Sequence, residues 1–163
     1  MNKNTIEIFD DAAKIYQDKY MDVGIYNDAL YEFCENIKSD NANVLDIACG
    51  PGNICKYILT ERPGFNVLGI DMSANMIKLA RVNNPTAQFK IMDCRDILAI
   101  EQKFDGVICG FCLPYLSKID ALKLVKDIAQ LLNPNGLFYL STMEDDYDKS
   151  GFQGAQAQDK MFV

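Results

Sequence analysis

Apolar positions recur every three or four residues from Ile6 onward: Ile6, Phe9, Ala13, Tyr16 and Tyr20, then Tyr26, Leu30, Phe33 and Ile37. That period predicts two helices, parted near Gly24. Beyond residue 43 the pattern changes to short apolar runs separated by helical stretches. The runs cover 44–47, 65–70, 87–92, 104–109 and 137–142. Helical patterns fill 53–60, 73–83 and 117–132, the second with Ser73 as its N-cap, and an irregular or helical piece covers 95–100. On the last long helix one side is assigned Ile119, Leu122, Val125, Ile128, Ala129 and Leu132. Asn133-Pro134-Asn135-Gly136 reads as the turn into the fifth strand.

Strands that alternate with helices in this way predict parallel βαβ units with right-handed crossovers. The expected fold is α/β: a Rossmann-like, doubly wound, mostly parallel sheet of five strands with helices on both faces. Residues 1–38 would form a helical N-terminal cap and 39–142 the ligand-binding domain. The polar stretch 143–163 reads as a mobile tail. The aromatic face of the first helix has two readings, a core-facing stripe or a lid whose tyrosines close over a ligand.

The stretch VLDIACGPGNICKYI, residues 44–58, carries the chemistry. A strand breaks into Ala48-Cys49-Gly50-Pro51-Gly52 before a helix resumes, and glycines there let backbone N–H groups approach a ligand. Asp71 lies nineteen positions beyond Gly52, where an acid can accept from both hydroxyls of a ribose. In a doubly wound sheet the ends of the first four strands converge on one crevice. It would collect the 48–52 loop, Asp71, Asp93-Cys94 and the residues 109–111. A nicotinamide fingerprint would need a third glycine where Cys55 stands. Asp46 would also repel a pyrophosphate in a low-dielectric crevice. An acid there suits a cationic ligand instead.

Composition narrows the chemistry further. A net charge of −7 and no basic run argue against a sequence-independent grip on nucleic acid. The N-terminal residues lack the apolar core of a signal peptide, and no apolar run is long enough to span a bilayer. A cytoplasmic protein without a membrane partner is expected. The six cysteines fall mostly within apolar patterns and read as reduced core thiols. The absence of histidine removes the commonest general base and metal ligand, so no metal site is expected.

The segments VLDIACGPGN, VLGIDMSANMIKLA, FKIMDCRD, FDGVICGFCLPYLS and LLNPNGLFYLST, in this order, resemble class I S-adenosylmethionine-dependent methyltransferases over residues 40–142. The resemblance implies S-adenosylmethionine as cofactor and methyl transfer to a small-molecule or protein nucleophile by in-line displacement. It implies that Asp46, Ala48 and Gly50 border the methionine part, with Gly52 at the loop's end and Asp71 on the ribose. Met72 would pack on the adenine, Asp93 would accept from its amino group, and the Cys94 N–H would reach a ring nitrogen. The Cys109 carbonyl would help hold the methionine ammonium. Ala48 replaces the first glycine of the family's loop. Leu113-Pro114-Tyr115 stands where many relatives carry histidine. Acceptor-side contacts then fall to Tyr16, Tyr20 and Tyr115.

Only 21 residues follow Thr142, too few for the family's last helix and two strands. A bare fifth strand is therefore expected at the sheet edge, with a risk of low stability or of homodimer formation through that edge. Two other readings compete. Cys109-Gly110-Phe111-Cys112 has the spacing of a thiol–disulfide exchange motif, although no helix follows it directly and buried thiols are the favoured reading. A cofactor-binding scaffold without turnover would share every segment quoted above.

Overall fold

The computed structural model describes residues 3–143 together with 152–153 and 161–162. Helix α1 (Lys3–Tyr20) and helix α2 (Asn27–Asn36) are joined through a short 3-10 turn at Gly24–Tyr26. Strand β1 (Asn43–Ile47) leads into α3 (Asn53–Glu61), β2 (Asn66–Asp71) into α4 (Ala74–Asn83), and β3 (Gln88–Ile91) into a 3-10 segment at Cys94–Ala99. Strand β4 (Phe104–Gly110) is followed by a 3-10 turn at Leu113–Tyr115, then α5 (Lys118–Leu131) and β5 (Leu132–Ser141).

The five strands are parallel in the order β3-β2-β1-β4-β5. Strand β1 occupies the centre, and its alternation divides the core in two. Leu45 and Ile47 face a cluster with Ile70, Phe104, Leu124 and Ile128, beneath α5. Val44 faces a cluster with Phe33, Cys55, Ile58 and Ile77, beneath α2, α3 and α4. This is the three-layer arrangement predicted from the alternating pattern. Among the described residues no strand pairs with the outer edge of β5. No described helix is long and apolar enough to cross a membrane.

Two expectations are corrected. Helix α5 does not bury Ile119, Leu122 and Val125; Ile119 is 80% and Leu122 65% exposed, while Leu124 is 1% exposed. Its apolar residues form two stripes, and at 3.6 residues per turn Leu122 sits about 160° around the axis from Leu124. The sheet takes the stripe of Leu124, Ile128 and Leu131. Asp127 lies on that inner side, buried against the Lys123 ammonium, which also donates to the Arg95 carbonyl at 2.9 Å.

The second correction concerns β5. It starts at Leu132, directly after α5, and carries Asn133–Gly136 as an irregularity within the strand. Asn135 takes a left-handed conformation (φ 64°), and Asn133 Nδ2 donates to Asp105 Oδ1 at 2.8 Å, tying the irregularity to β4. The tail expected over 143–163 falls largely outside the described residues. Within it, Phe152–Gln153 and Met161–Phe162 pair as antiparallel strands β6 and β7.

The register of α5 is tested by paired truncations. Leu124→Ala should lower stability in urea by about 2–5 kcal/mol, as for a buried leucine. Leu122→Ala should change it by less than about 0.5 kcal/mol. Equal losses would contradict this packing.

Candidate functional site

Strand order reverses between β1 and β4, so the loops leaving their carboxyl ends face a common crevice. The 48–52 loop crosses it in a run of left-handed residues: Ala48 (φ 56°), Gly50 (φ 53°) and Gly52 (φ 78°). At Ala48 this costs roughly 1–2 kcal/mol, the penalty for an L-residue with a Cβ. Gly52 is further constrained by contact, since a Cβ there would lie 2.4 Å from Asn84 Nδ2. That amide donates to the Gly52 carbonyl at 2.9 Å and is buried, which holds the loop to the end of α4.

Asp71, at the end of β2, fastens the other side of the loop. Its Oδ2 accepts from Gly50 N–H at 3.0 Å and its Oδ1 from Ser73 N–H at 2.8 Å. Burial raises its pKa, and these backbone donors partly offset the rise. Each carboxylate oxygen keeps a lone pair for a ligand hydroxyl. Ser73 is the N-cap of α4, as predicted, its Oγ accepting from Met76 N–H at 3.0 Å.

Helix α1 lies across this crevice, and Asp10 latches it there. Asp10 Oδ1 accepts from Ser73 Oγ at 2.6 Å and Asn75 N–H at 2.9 Å, while Asn75 Nδ2 donates to Oδ2 at 2.9 Å. The Ser73 hydroxyl, ahead of the Asn75 amide, holds the Asp10 carboxyl below its usual range. Nothing in the sequence pattern distinguished Asp10 from its neighbour Asp11. Farther along, Asn83 Nδ2 bridges Gln17 Oε1 and the Pro51 carbonyl, both at 2.8 Å.

Two chambers meet at the loop. The first, about 60 Å³, is lined by Asp71, Met72, Ser73 and Met76 on one side and by Ile6 and Phe9 of α1 on the other. The second, about 310 Å³, extends toward Tyr20, Asp22, Tyr26, Tyr139 and Ser141. Tyr16, Ala48, Gly50, Gly110, Phe111 and Tyr115 border both. No lysine or arginine appears among the described residues lining either chamber.

The residues singled out from the sequence therefore divide. Ala48, Gly50, Asp71 and Met72 line the chambers, as do Tyr16, Tyr20 and Tyr115. Gly52 shapes the loop from behind. Asp46 lies beneath the loop, fully buried, and borders neither chamber. Its Oδ2 accepts from the Cys55 thiol at 3.1 Å, and its Oδ1 has no partner among the described residues. Asp93 is engaged by the guanidinium of Arg95, whose Nε reaches both carboxylate oxygens at 3.0 and 2.9 Å. Burial raises the Asp93 pKa, but Arg95 outweighs it and the net shift is downward.

Cys94 and Cys109 are buried behind the crevice wall, with Cys94 Sγ 3.8 Å from Cys112 Sγ. All six cysteines are free and buried. The Cys112 thiol is pushed upward, first by its contact with Cys109 and also by burial, which is opposite to what an exchange motif requires. Phe111 reaches the crevice as expected for residues 109–111, held there at φ 55°. Phe9, Tyr26 and Ser141 were not among the expected site residues, because only the fold brings them to the crevice.

A family model described as "Methyltransferase domain" matches residues 44–136. This chain belongs to the methyltransferase domain family. The chain is 33% identical to YqeM of Bacillus subtilis, which carries a provisional methyltransferase name, over 80% of this chain and 53% of that protein. Among solved structures it resembles DesVI of Streptomyces venezuelae (TM-score 0.63, 26% identity, 77% of this chain and 55% of that one). It also resembles the S-adenosylmethionine-bound CalS10 of Micromonospora echinaspora, an amino pentose methyltransferase (TM-score 0.63, 25% identity, 76% and 54%). The chain spans 29–53% of the length of the first curated relatives it matches.

Asp46 is the electrostatic anomaly of this site. Burial, with Asp71 adding repulsion and the Cys55 thiol opposing it, pushes its pKa up to about 7. In the unfolded chain an aspartate titrates near 3.9, so the folded state holds the extra proton between these values. Stability should be fullest below about pH 4 and fall as pH rises through about 7, by up to about 4 kcal/mol. Asp71 shifts in the same direction, so Asp46 must be isolated by substitution. Chemical denaturation of Asp46→Asn should show the stability difference from the parent growing between pH 4 and 7. A difference independent of pH would contradict the assignment.

Proposed function

We propose that this chain binds S-adenosylmethionine in the first chamber and along the loop where the two chambers meet and, within the whole protein, presents its methyl group to a small-molecule nucleophile. The feature that supports this most is the charge of the site. Asp71 lines the first chamber, Asp46 lies buried beneath the loop, and neither chamber has a basic residue among its described lining. A pyrophosphate would find no side-chain cation there, whereas a ligand with ammonium and sulfonium charges and no phosphate is complementary to Asp71. When bound, S-adenosylmethionine supplies a sulfonium-borne methyl, whose carbon accepts the acceptor's lone pair while the carbon–sulfur pair returns to sulfur.

The chain's own residues would bind, align and shelter. Asp71 accepts from ribose hydroxyls through its free lone pairs, and Met72 and Met76 pack on the adenine. Ala48, Gly50 and Gly110 leave room for the amino-acid end. Asp93, paired with Arg95, and the Cys94 and Cys109 backbones form a second tier behind that wall. Helix α1 closes the first chamber, with Phe9 against Tyr115 (ring centroids 5.1 Å) and Tyr16 against Tyr20 (4.6 Å). Such alignment contributes roughly 7–11 kcal/mol in favourable cases without any acid or base. Tyr16 does not serve as a base at neutral pH, because burial and then its tyrosine and aspartate neighbours push its pKa up to about 12.

Asp71→Ala should weaken S-adenosylmethionine binding at least about tenfold, the equivalent of about 1.4 kcal/mol, in titration calorimetry. Unchanged affinity would refute the ribose role. Amide exchange across α1 should slow on addition of S-adenosylhomocysteine. An α1 as open with the ligand as without it would remove the lid assignment.

A further inference from the structure

The part of the second chamber not shared with the first has its own chemistry. Tyr20, Tyr26 and Tyr139 line it, Phe111 and Tyr115 stand at its boundary, and Asp22 is its single carboxylate. The Tyr26 and Phe111 ring centroids are 5.2 Å apart, with the ring planes tilted by 56°. Phe111 is held there in a left-handed conformation, its N–H donating to the Ser141 carbonyl at 2.8 Å. A left-handed conformation in a bulky residue at a chamber wall marks a position where the side chain is needed. The Ser141 hydroxyl, at the end of β5, is buried and has no partner among the described residues.

We propose that this unshared part is the acceptor's seat and that it takes an amine, held as its ammonium among the ring faces of Tyr26, Phe111, Tyr115 and Tyr139. The proposal rests on the assignment of the first chamber and the loop to the cofactor. Aromatic faces attract a cation through the ring quadrupole, more strongly when water is excluded. Asp22 supplies the balancing negative charge, and Ser141 Oγ can accept from an N–H. Lys19 shows the same preference from outside, its Nζ lying 5.0 Å from the Tyr20 ring centroid.

Other acceptor classes fit less well. A carboxylate or phosphate acceptor would find no cation among the described lining residues. An alcohol must lose its proton to become a competent nucleophile, and the chain has no histidine while Tyr16 is pushed upward. A bound ammonium first gives one proton to solvent, its freed lone pair then takes the methyl as the carbon–sulfur pair returns to sulfur, and the methylated ammonium can shed a further proton to solvent. Both its resting ammonium and its methylated product carry the charge that these rings hold.

The test uses choline and its uncharged isostere 3,3-dimethylbutan-1-ol, titrated into the full chain saturated with S-adenosylhomocysteine and followed through tyrosine ring resonances. Saturation removes the cofactor's own ammonium site from the comparison. Choline should bind at least tenfold more tightly than the isostere. Tyr26→Leu should abolish that preference, and Tyr26→Phe, which keeps the ring face, should retain it. Equal affinities, or choline displaced one-for-one by S-adenosylhomocysteine, would overturn the proposal. Failure of S-adenosylhomocysteine itself to bind shows in the first titration. That result overturns the cofactor assignment, and with it this one, before choline is added.

Discussion

The Asp71 carboxylate is the constraint on which the site depends. One oxygen holds Gly50 N–H and the other Ser73 N–H, so a single side chain fastens the β1 loop to the start of α4. Ser73 then passes the connection to Asp10, and through it to helix α1. Floor, wall and roof of the first chamber are therefore one hydrogen-bonded assembly. Charged-group hydrogen bonds contribute about 1.5–3 kcal/mol each, enough to offset the left-handed backbone at Ala48.

Around this assembly the acids are sorted by environment. Asp46 is buried with one thiol donor and is pushed upward, Asp93 is matched by Arg95 and drawn downward, and Asp71 lies between backbone donors and the chamber. Three aspartates near the ends of three strands thus have different electrostatic roles. The buried, half-partnered Asp46 keeps its proton up to about pH 7, and a cationic ligand above the loop would favour its charged form.

Much of this was legible in the sequence. The alternation of apolar runs with helical periods located five strands and their helices, and the Ala48–Gly52 loop and Asp71 stood out because few residue types permit such turns and contacts. Helix α5 was misread because two apolar stripes run along it, and periodicity alone does not say which one meets the sheet. β5 was begun late because Pro134 and Gly136 signal a turn, whereas the chain absorbs them as an irregularity inside a strand. Asp93 and Cys94 follow β3 as anticipated, and Asp46 and Cys109 lie near the ends of β1 and β4, yet none of the four lines a chamber.

The sequence by itself determined the fold class, the position of the glycine loop and the acid after the second strand. Those features are local: hydrophobic period, backbone permissiveness and spacing along one βαβ unit. Only the tertiary structure decided that Asp10 latches α1 to α4, that Asp46 is sealed beneath the loop, and that Tyr26, Phe111, Tyr139 and Ser141 share a chamber. These residues come from segments as much as 115 positions apart, Tyr26 and Ser141 being the extremes. No periodicity relates them. Their meeting follows from strand order and from the packing of α1 across the crevice, which depend on the whole core at once.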